Sequence, residues 1–417
     1  MKGMIAICAA AGLLIGQAGA ALAQQGANDK AQDRAHADKI VKIGVLSDLS
    51  SLYSDITGAG SVLAAQMAVE DSGLRAKGWT IEVVSGDHQN KADIGANIAR
   101  QWFDRDNVDV IVDVPNSAVA LAVSNITRER NKLFLDSSAA TSDLTNAQCS
   151  PNTIHWVFDT YMLAHGTGTG VTKAGGDTWF FLAADYAFGA SLERDTAAVV
   201  KALGGRVLGD VKHPPNSPDF SSFLLQAQAS KAKVIGLANG GGDTINAIKQ
   251  AAEFGIVQGG QKLSPLLLFI SDVHSLGLNV AQGLTFTAAF YWDHNDGTRA
   301  FSKRFSERAK NKAMPTMAQA GVASSIWHYL KALEALGGNP HDGAAVAAKM
   351  KEMPTDDPLF GKGAIRADGR KIHPAYVFEV KKPAESRGPW DYYKLVATIP
   401  AEEAFLPLTE SKCPLVH

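Results

Sequence analysis

Short apolar runs alternate along this chain with longer segments in which apolar residues recur every three or four positions. IVKIGVL, WTIEVVSGD, VDVIVDV and KLFLDSS read as strands, and the helical spacing falls between them, in ADIGANIARQWFDRDN and SAVALAVSNITRERN. This alternation predicts a parallel sheet covered by helices on both faces. After a helix-like stretch over residues 154–176 the pattern begins again. TWFFLAAD, GGRVLGDVKHP, AKVIGLAN and PLLLFIS are its strands, with FGASLERDTAAVVKALGG and TINAIKQAAEFG as helices between them. LTFTAAFYW, three helical segments (DGTRAFSKRFSERAKN, MAQAGVASSIWHYLKALEALG and HDGAAVAAKMKEMP) and two closing strands, IHPAYVFEV and WDYYKLVATI, complete the chain. The expected fold class is α/β, with two doubly wound lobes. Ligands of such sheets bind outside the carboxyl ends of the strands, so the cleft between the lobes is the expected site.

Length and composition agree with two cores: 417 residues, 46% of them hydrophobic. Forty Lys and Arg stand against 42 acids with no basic block, which gives no support for nucleic-acid binding. At the N-terminus Lys2 precedes an apolar run over residues 4–15, and Ala21-Leu22-Ala23 has the small-x-small pattern of a signal-peptidase site. Residues 1–23 therefore read as a secretory signal and 24–39 as a flexible polar leader. Cys8 leaves with the signal. Cys149 and Cys413 remain in an oxidising compartment, where a disulfide is the natural reading and two unrelated thiols the alternative.

The loop after the first strand carries Gly58 and Gly60, but Leu63 stands where a dinucleotide fingerprint needs its third Gly. Gly166, Gly168 and Gly170 are followed by Val171 and suggest close helix packing instead. G-x-x-x-x-G-K-[ST], H-E-x-x-H and G-x-S-x-G do not occur, and the His residues are scattered without metal-ligand spacing. DHNDG at Asp293 lacks the acids of a calcium loop and reads as a polar turn opening a helix. No cofactor, metal or enzymatic activity is expected.

Four passages, KIGVLSDLSSLYSDITGAG, DVPNSAVALAVSNI, DSSAATSDLT and LAADYAFGASLE, occur in an order and spacing that resembles the type I periplasmic binding proteins. The resemblance is to the leucine/isoleucine/valine-binding family that serves ABC importers, and it covers residues 40–399. It implies a multi-strand hinge that closes two lobes on an amino acid or other small organic acid, such as an aromatic acid, for delivery to an inner-membrane permease. Residues 40–158, completed by 292–370, would form the N-terminal lobe. Residues 159–291, completed by 371–417, would form the C-terminal lobe. A periplasmic monomer is expected, and the alternative is a ligand-binding subunit of a sensory system.

Carried over position by position, the family pattern points to Asn116 and Ser117 for a ligand carboxylate, and to Ala140 and Thr141 for its carboxylate and amine. Ser117 and Thr141 could instead merely cap helices. Tyr186 and Phe188 stand where the family has an aromatic wall, with core packing as the alternative. The chain departs from the family at NGGGD, which begins with Asn239 where an aromatic is common; Asp243 there reads as a helix cap. Asp272 is the nearest counterpart of the acid that pairs with a ligand ammonium.

Overall fold

The computed structural model describes residues 39–416; the expected signal (1–23) and all but the last residue of the expected leader (24–39) lie outside the described residues. The first sheet contains β1 (Ile40–Ser47), β2 (Thr80–Asp87), β3 (Val110–Asp113), β4 (Leu133–Asp136) and β5 (Thr153–His155). Its order is β2-β1-β3-β4-β5, parallel throughout. β3 and β4 read VIVD and LFLD and are buried at every position, as central parallel strands covered on both faces must be. Helices α1 (Gly58–Asp71), α2 (Ala92–Asp104) and α3 (Ser117–Glu129) connect the strands. α2 turns Ala96, Ala99, Trp102 and Phe103 inward, at the spacing its sequence showed.

The second sheet repeats the plan with β6 (Thr178–Ala184), β7 (Arg206–His213), β8 (Val234–Ala238) and β9 (Lys262–Pro265). These strands are parallel in the order β7-β6-β8-β9. Helices α4 (Ala187–Ala202), α5 (Ser221–Ala229), α6 (Gly242–Glu253) and α7 (Ile270–Leu276) belong to this half. β10 (Thr285–Ala288) then pairs antiparallel with β14 (Ala375–Val380), which pairs with β15 (Tyr393–Ile399). Between β10 and β14 come α8 (Asp296–Arg308), α9 (Met317–Leu336) and α10 (Gly343–Glu352), and α9 packs along α1. There Gly60 leaves room for the Gln319 amide, whose Nε2 would stand 2.1 Å from a Cβ at that position and donates to the Thr57 carbonyl at 3.0 Å.

Three features depart from the sequence reading, the first being β5, which occupies Thr153–His155 at the start of the stretch read as helix-like. PLLLFIS is not a strand throughout: β9 ends at Pro265, and Leu266, Leu267, Leu268 and Phe269 run, buried, into α7. The Phe269 N–H donates to the Asp272 carboxylate at 2.9 Å, closing the start of α7 instead of extending a strand ladder. The small sheet of β11 (Thr355–Asp357), β12 (Gly361–Ile365) and β13 (Lys371–Ile372) was also not anticipated. Its strands are two to five residues long and read TDD, GKGAI and KI, with no alternation to mark them.

The two halves are joined by several covalent passages. The chain leaves the first sheet after β5, returns after β10 toward α8, and crosses again between β13 and β14. The crossings are held together by buried polar contacts. His373 pairs through Nε2 with the Val157 carbonyl at 2.7 Å, and Arg370 lies 3.5 Å from the Asp159 carboxylate. Cys149 and Cys413 form a disulfide, Cα–Cα 5.6 Å.

Candidate functional site

The loops at the carboxyl ends of the two sheets face one another. After β1, Asp48 gathers the loop by accepting from Ser51 N–H at 2.8 Å and Tyr53 N–H at 2.9 Å, while Asp87 holds Leu49 N–H at 3.0 Å. This delivers Tyr53 to the opposite half, where its hydroxyl meets that of Tyr186. Burial pushes both phenols well above their ordinary pKa, so both are neutral hydroxyls, one donating to the other. Beside them Leu52 and Tyr53 lie against the glycines that follow β8. A Cβ on Gly241 would stand 2.8 Å from the Leu52 carbonyl oxygen, and Gly241 has φ 58.

A second contact forms nearer the hinge. Thr141 Oγ1 donates to Ser191 Oγ at 3.2 Å, Ser142 Oγ to Asp195 at 2.8 Å, and the Arg194 guanidinium reaches Asp143 at 3.3 Å. The lobes are therefore in contact, and the cleft is closed. Between Leu268, Phe269 and Ile270 on one side and Pro315, Thr316 and Met317 on the other, an apolar void of ≈ 10 Å³ remains, near the size of one water.

The floor on the first sheet is built from strained backbone. Asp113 and Val114 have φ 80 and 63, a conformation that side chains with a Cβ rarely adopt. Ser47 Oγ donates to Asp113 at 2.6 Å, Ser138 Oγ donates to the same carboxylate, and Val114 N–H bonds Leu46 O at 3.0 Å. Burial raises the Asp113 carboxyl to about 6 against the pull of those hydroxyls. The strained turn sets the start of α3. Asn116 is its N-cap, with Oδ1 accepting from Ala118 and Val119 N–H and Nδ2 donating to Asn90 at 2.6 Å. Ser117 follows as the first helical residue, whose N–H is one of the donors a helix start leaves for an anion. Its Oγ accepts from Thr141 N–H at 3.2 Å, so the loops after β3 and β4 are locked together.

Ser117, Ala140 and Thr141 are thus brought together at the carboxyl ends of β3 and β4, and Thr141 also caps the short 3-10 turn that follows it. From the second half Tyr186 meets Tyr53, and Phe188 is buried beside it, 6.0 Å ring to ring. Asn239 is bound at both ends within its own half, to His213 at 3.1 Å and Thr244 at 2.7 Å. Asp243 caps the turn at Asn216 and Ser217, accepting both N–H groups at 3.0 and 2.9 Å, rather than its own helix. Asp272 holds Phe269 N–H and is buried.

The sequence reading missed Tyr53 and the contacts of Ser191, Arg194 and Asp195. Tyr53 had a signal, a lone aromatic in the first carboxyl-end loop, whereas the α4 residues look like any polar helix surface. Among the described residues no group of three or more His, Cys, Asp or Glu could hold a metal.

Asp272 gives the site a pH signature. Burial, reinforced by the Asp55 carboxylate, raises it to about 7 against the Phe269 hydrogen bond. Its folded pKa exceeds that of an unfolded aspartate, so the stability it contributes is complete below pH ~4 and is lost as pH rises through ~7. Asp272→Asn keeps an acceptor for Phe269 and cannot ionise. The variant is expected to become more stable relative to the natural protein as pH rises from ~4 to ~8. Urea unfolding across that range checks it, and a constant difference would refute it.

Two doubly wound lobes, several crossings and a closed cleft walled by carboxyl-end loops define a hinged small-molecule binding protein. The chain belongs to the periplasmic binding protein family, whose pattern it matches over residues 40–387. It is 24% identical over 378 residues to a Leu/Ile/Val-binding protein homolog 6 of Brucella melitensis, covering 88% of this chain and 93% of that one. Among solved structures, a periplasmic binding protein from Burkholderia mallei is 52% identical with TM-score 0.87, covering 90% of this chain and 99% of its own. The periplasmic ligand-binding protein of a branched chain amino acid ABC transporter from Burkholderia xenovorans is 40% identical with TM-score 0.80, covering 90% and 100%.

Proposed function

We propose that this protein is an exported receptor that closes its lobes over a small organic carboxylate, with an aromatic acid favoured over an α-amino acid, and presents it to an inner-membrane ABC permease. Export rests on residues 1–23, whose sequence has the form of a cleavable signal. The carboxylate would meet the start of α3 at Ser117 together with Ala140 and Thr141, where helix-end donors favour an anion. Tyr53, Tyr186 and Phe188 would flank its body.

The observation that carries the ligand class is the state of the acids. Asp243 accepts a backbone N–H at each of its oxygens and Asp272 accepts the Phe269 N–H at one, and burial raises both, Asp272 to about 7 and Asp243 to about 6. An α-ammonium would have to compete for them. The ABC-transporter description of the Burkholderia xenovorans relative keeps a branched-chain amino acid as the competing ligand.

A thermal-shift screen of benzoate-type acids against branched-chain amino acids tests the reading. A ligand at 100 times its dissociation constant adds about 2.7 kcal/mol, enough for a clear shift. With an aromatic acid, Asp272→Ala is expected to leave the calorimetric affinity unchanged, while Thr141→Ala and Tyr186→Ala weaken it. A thermal shift from branched-chain amino acids and none from benzoate-type acids, with a roughly ten- to hundredfold loss of amino-acid affinity in Asp272→Ala, would support the ammonium role and reject the aromatic-acid assignment.

A further inference from the structure

The C-terminal tail follows a path that core packing alone does not explain. β15 belongs to the sheet of β10 and β14, and its last residue, Ile399, packs near Gly166 of the second half: a Cβ there would stand 3.0 Å from Ile399 Cδ1. The chain then turns through Ala401–Ala404, and Ala404 and Phe405 are buried. Phe405 lies edge-on to His373, 5.1 Å between ring centres, and under the Arg370 guanidinium at 4.6 Å. His373 sits where the chain crosses between β13 and β14, and Arg370 directly precedes β13. The Leu406 carbonyl accepts from Arg366 at 2.8 Å, and Lys412 N–H donates to Asn146 Oδ1 at 2.6 Å. Cys413 is bonded to Cys149, just beyond the turn that Thr141 begins.

The tail is therefore attached to one half through β15 and to the other through the disulfide, with the hinge between. We infer that residues 400–413 are a covalent strap across the hinge that limits how far the lobes open. In binding proteins the closed form holds the ligand, so a limit on opening raises the closed share of the unliganded population and with it the apparent affinity. The bond acts on the native hinge motion, beyond the loop closure it imposes on the unfolded chain.

Small-angle scattering of the unliganded mature protein tests this without any ligand, so it stands or falls separately from the assignment of the solute. The double variant Cys149→Ser/Cys413→Ser is expected to show a larger radius of gyration than the natural protein. Phe405→Ala keeps the bond and removes the packing, and is expected to lower the melting temperature while leaving the radius unchanged. If the double variant fails to fold, native protein reduced with dithiothreitol and alkylated takes its place, with circular dichroism to verify the fold. Equal radii in bonded and unbonded forms would overturn the inference. Equal expansion in Phe405→Ala would also overturn it, because packing and not the bond would then set the limit.

Discussion

Arg370→Met is expected to destabilise the protein by about 3–5 kcal/mol, the cost of leaving a buried charge without its partner. Arg370 is fully buried, and burial lowers its pKa to about 10, which still leaves it charged at neutral pH. Its guanidinium faces Asp159 at 3.5 Å, and its Nε donates to the Lys371 carbonyl at 3.0 Å. Asp159 also caps the helical turn after the first crossing, through Met162 N–H at 2.8 Å. Removing the cation strands that carboxylate at the hinge. Asp159→Asn keeps the cap without the charge, so the double variant Arg370→Met/Asp159→Asn should recover roughly half of the loss, since the two sites are coupled. Urea unfolding measures both. A single-variant loss below about 1 kcal/mol would mean that water reaches the pair and screens it.

Gly241→Val should weaken binding strongly and cost some stability as well. The positive φ at this position disfavours any side chain, by about 1–3 kcal/mol in either lobe arrangement. The clash with Leu52 O and Tyr53 exists only when the lobes meet. Closure is penalised on top of the local strain, and affinity is expected to fall roughly a hundredfold, equivalent to about 2.7 kcal/mol. Calorimetry on the ligand found by screening reads the effect. Affinity within about threefold of the natural protein, or about 0.6 kcal/mol, would show that Gly241 does not meet the first lobe in the bound form.

The two sheets were legible because parallel strands buried on both faces write continuous apolar runs, as VIVD and LFLD do, while α2 shows its inward face at helical spacing. The disulfide pairing of Cys149 and Cys413 was legible from compartment and count, and it is present. The strand assigned to PLLLFIS failed because an apolar run states burial and not hydrogen bonding; the Asp272 cap diverted its backbone into a helix start.

The site was legible only as far as the loops. Ser117, Ala140 and Thr141 share one end of the sheet because loops after adjacent parallel strands must do so. Which side chains are free was not legible. Asn116, Asn239 and Asp272 each carry groups suited to a ligand, and each is engaged by neighbours distant or near in sequence: Asn90, His213 and Phe269. Tyr53 entered the cleft through Asp48, whose bonds to the loop backbone depend on a turn geometry that no periodicity records.

The central claim is that the two lobes close on a small organic acid. It is tested most directly by small-angle scattering of the mature protein titrated with the acid that gives the largest thermal shift. The radius of gyration should fall as ligand is added and saturate with the dissociation constant found by calorimetry. Saturable binding with an unchanged radius would contradict the account.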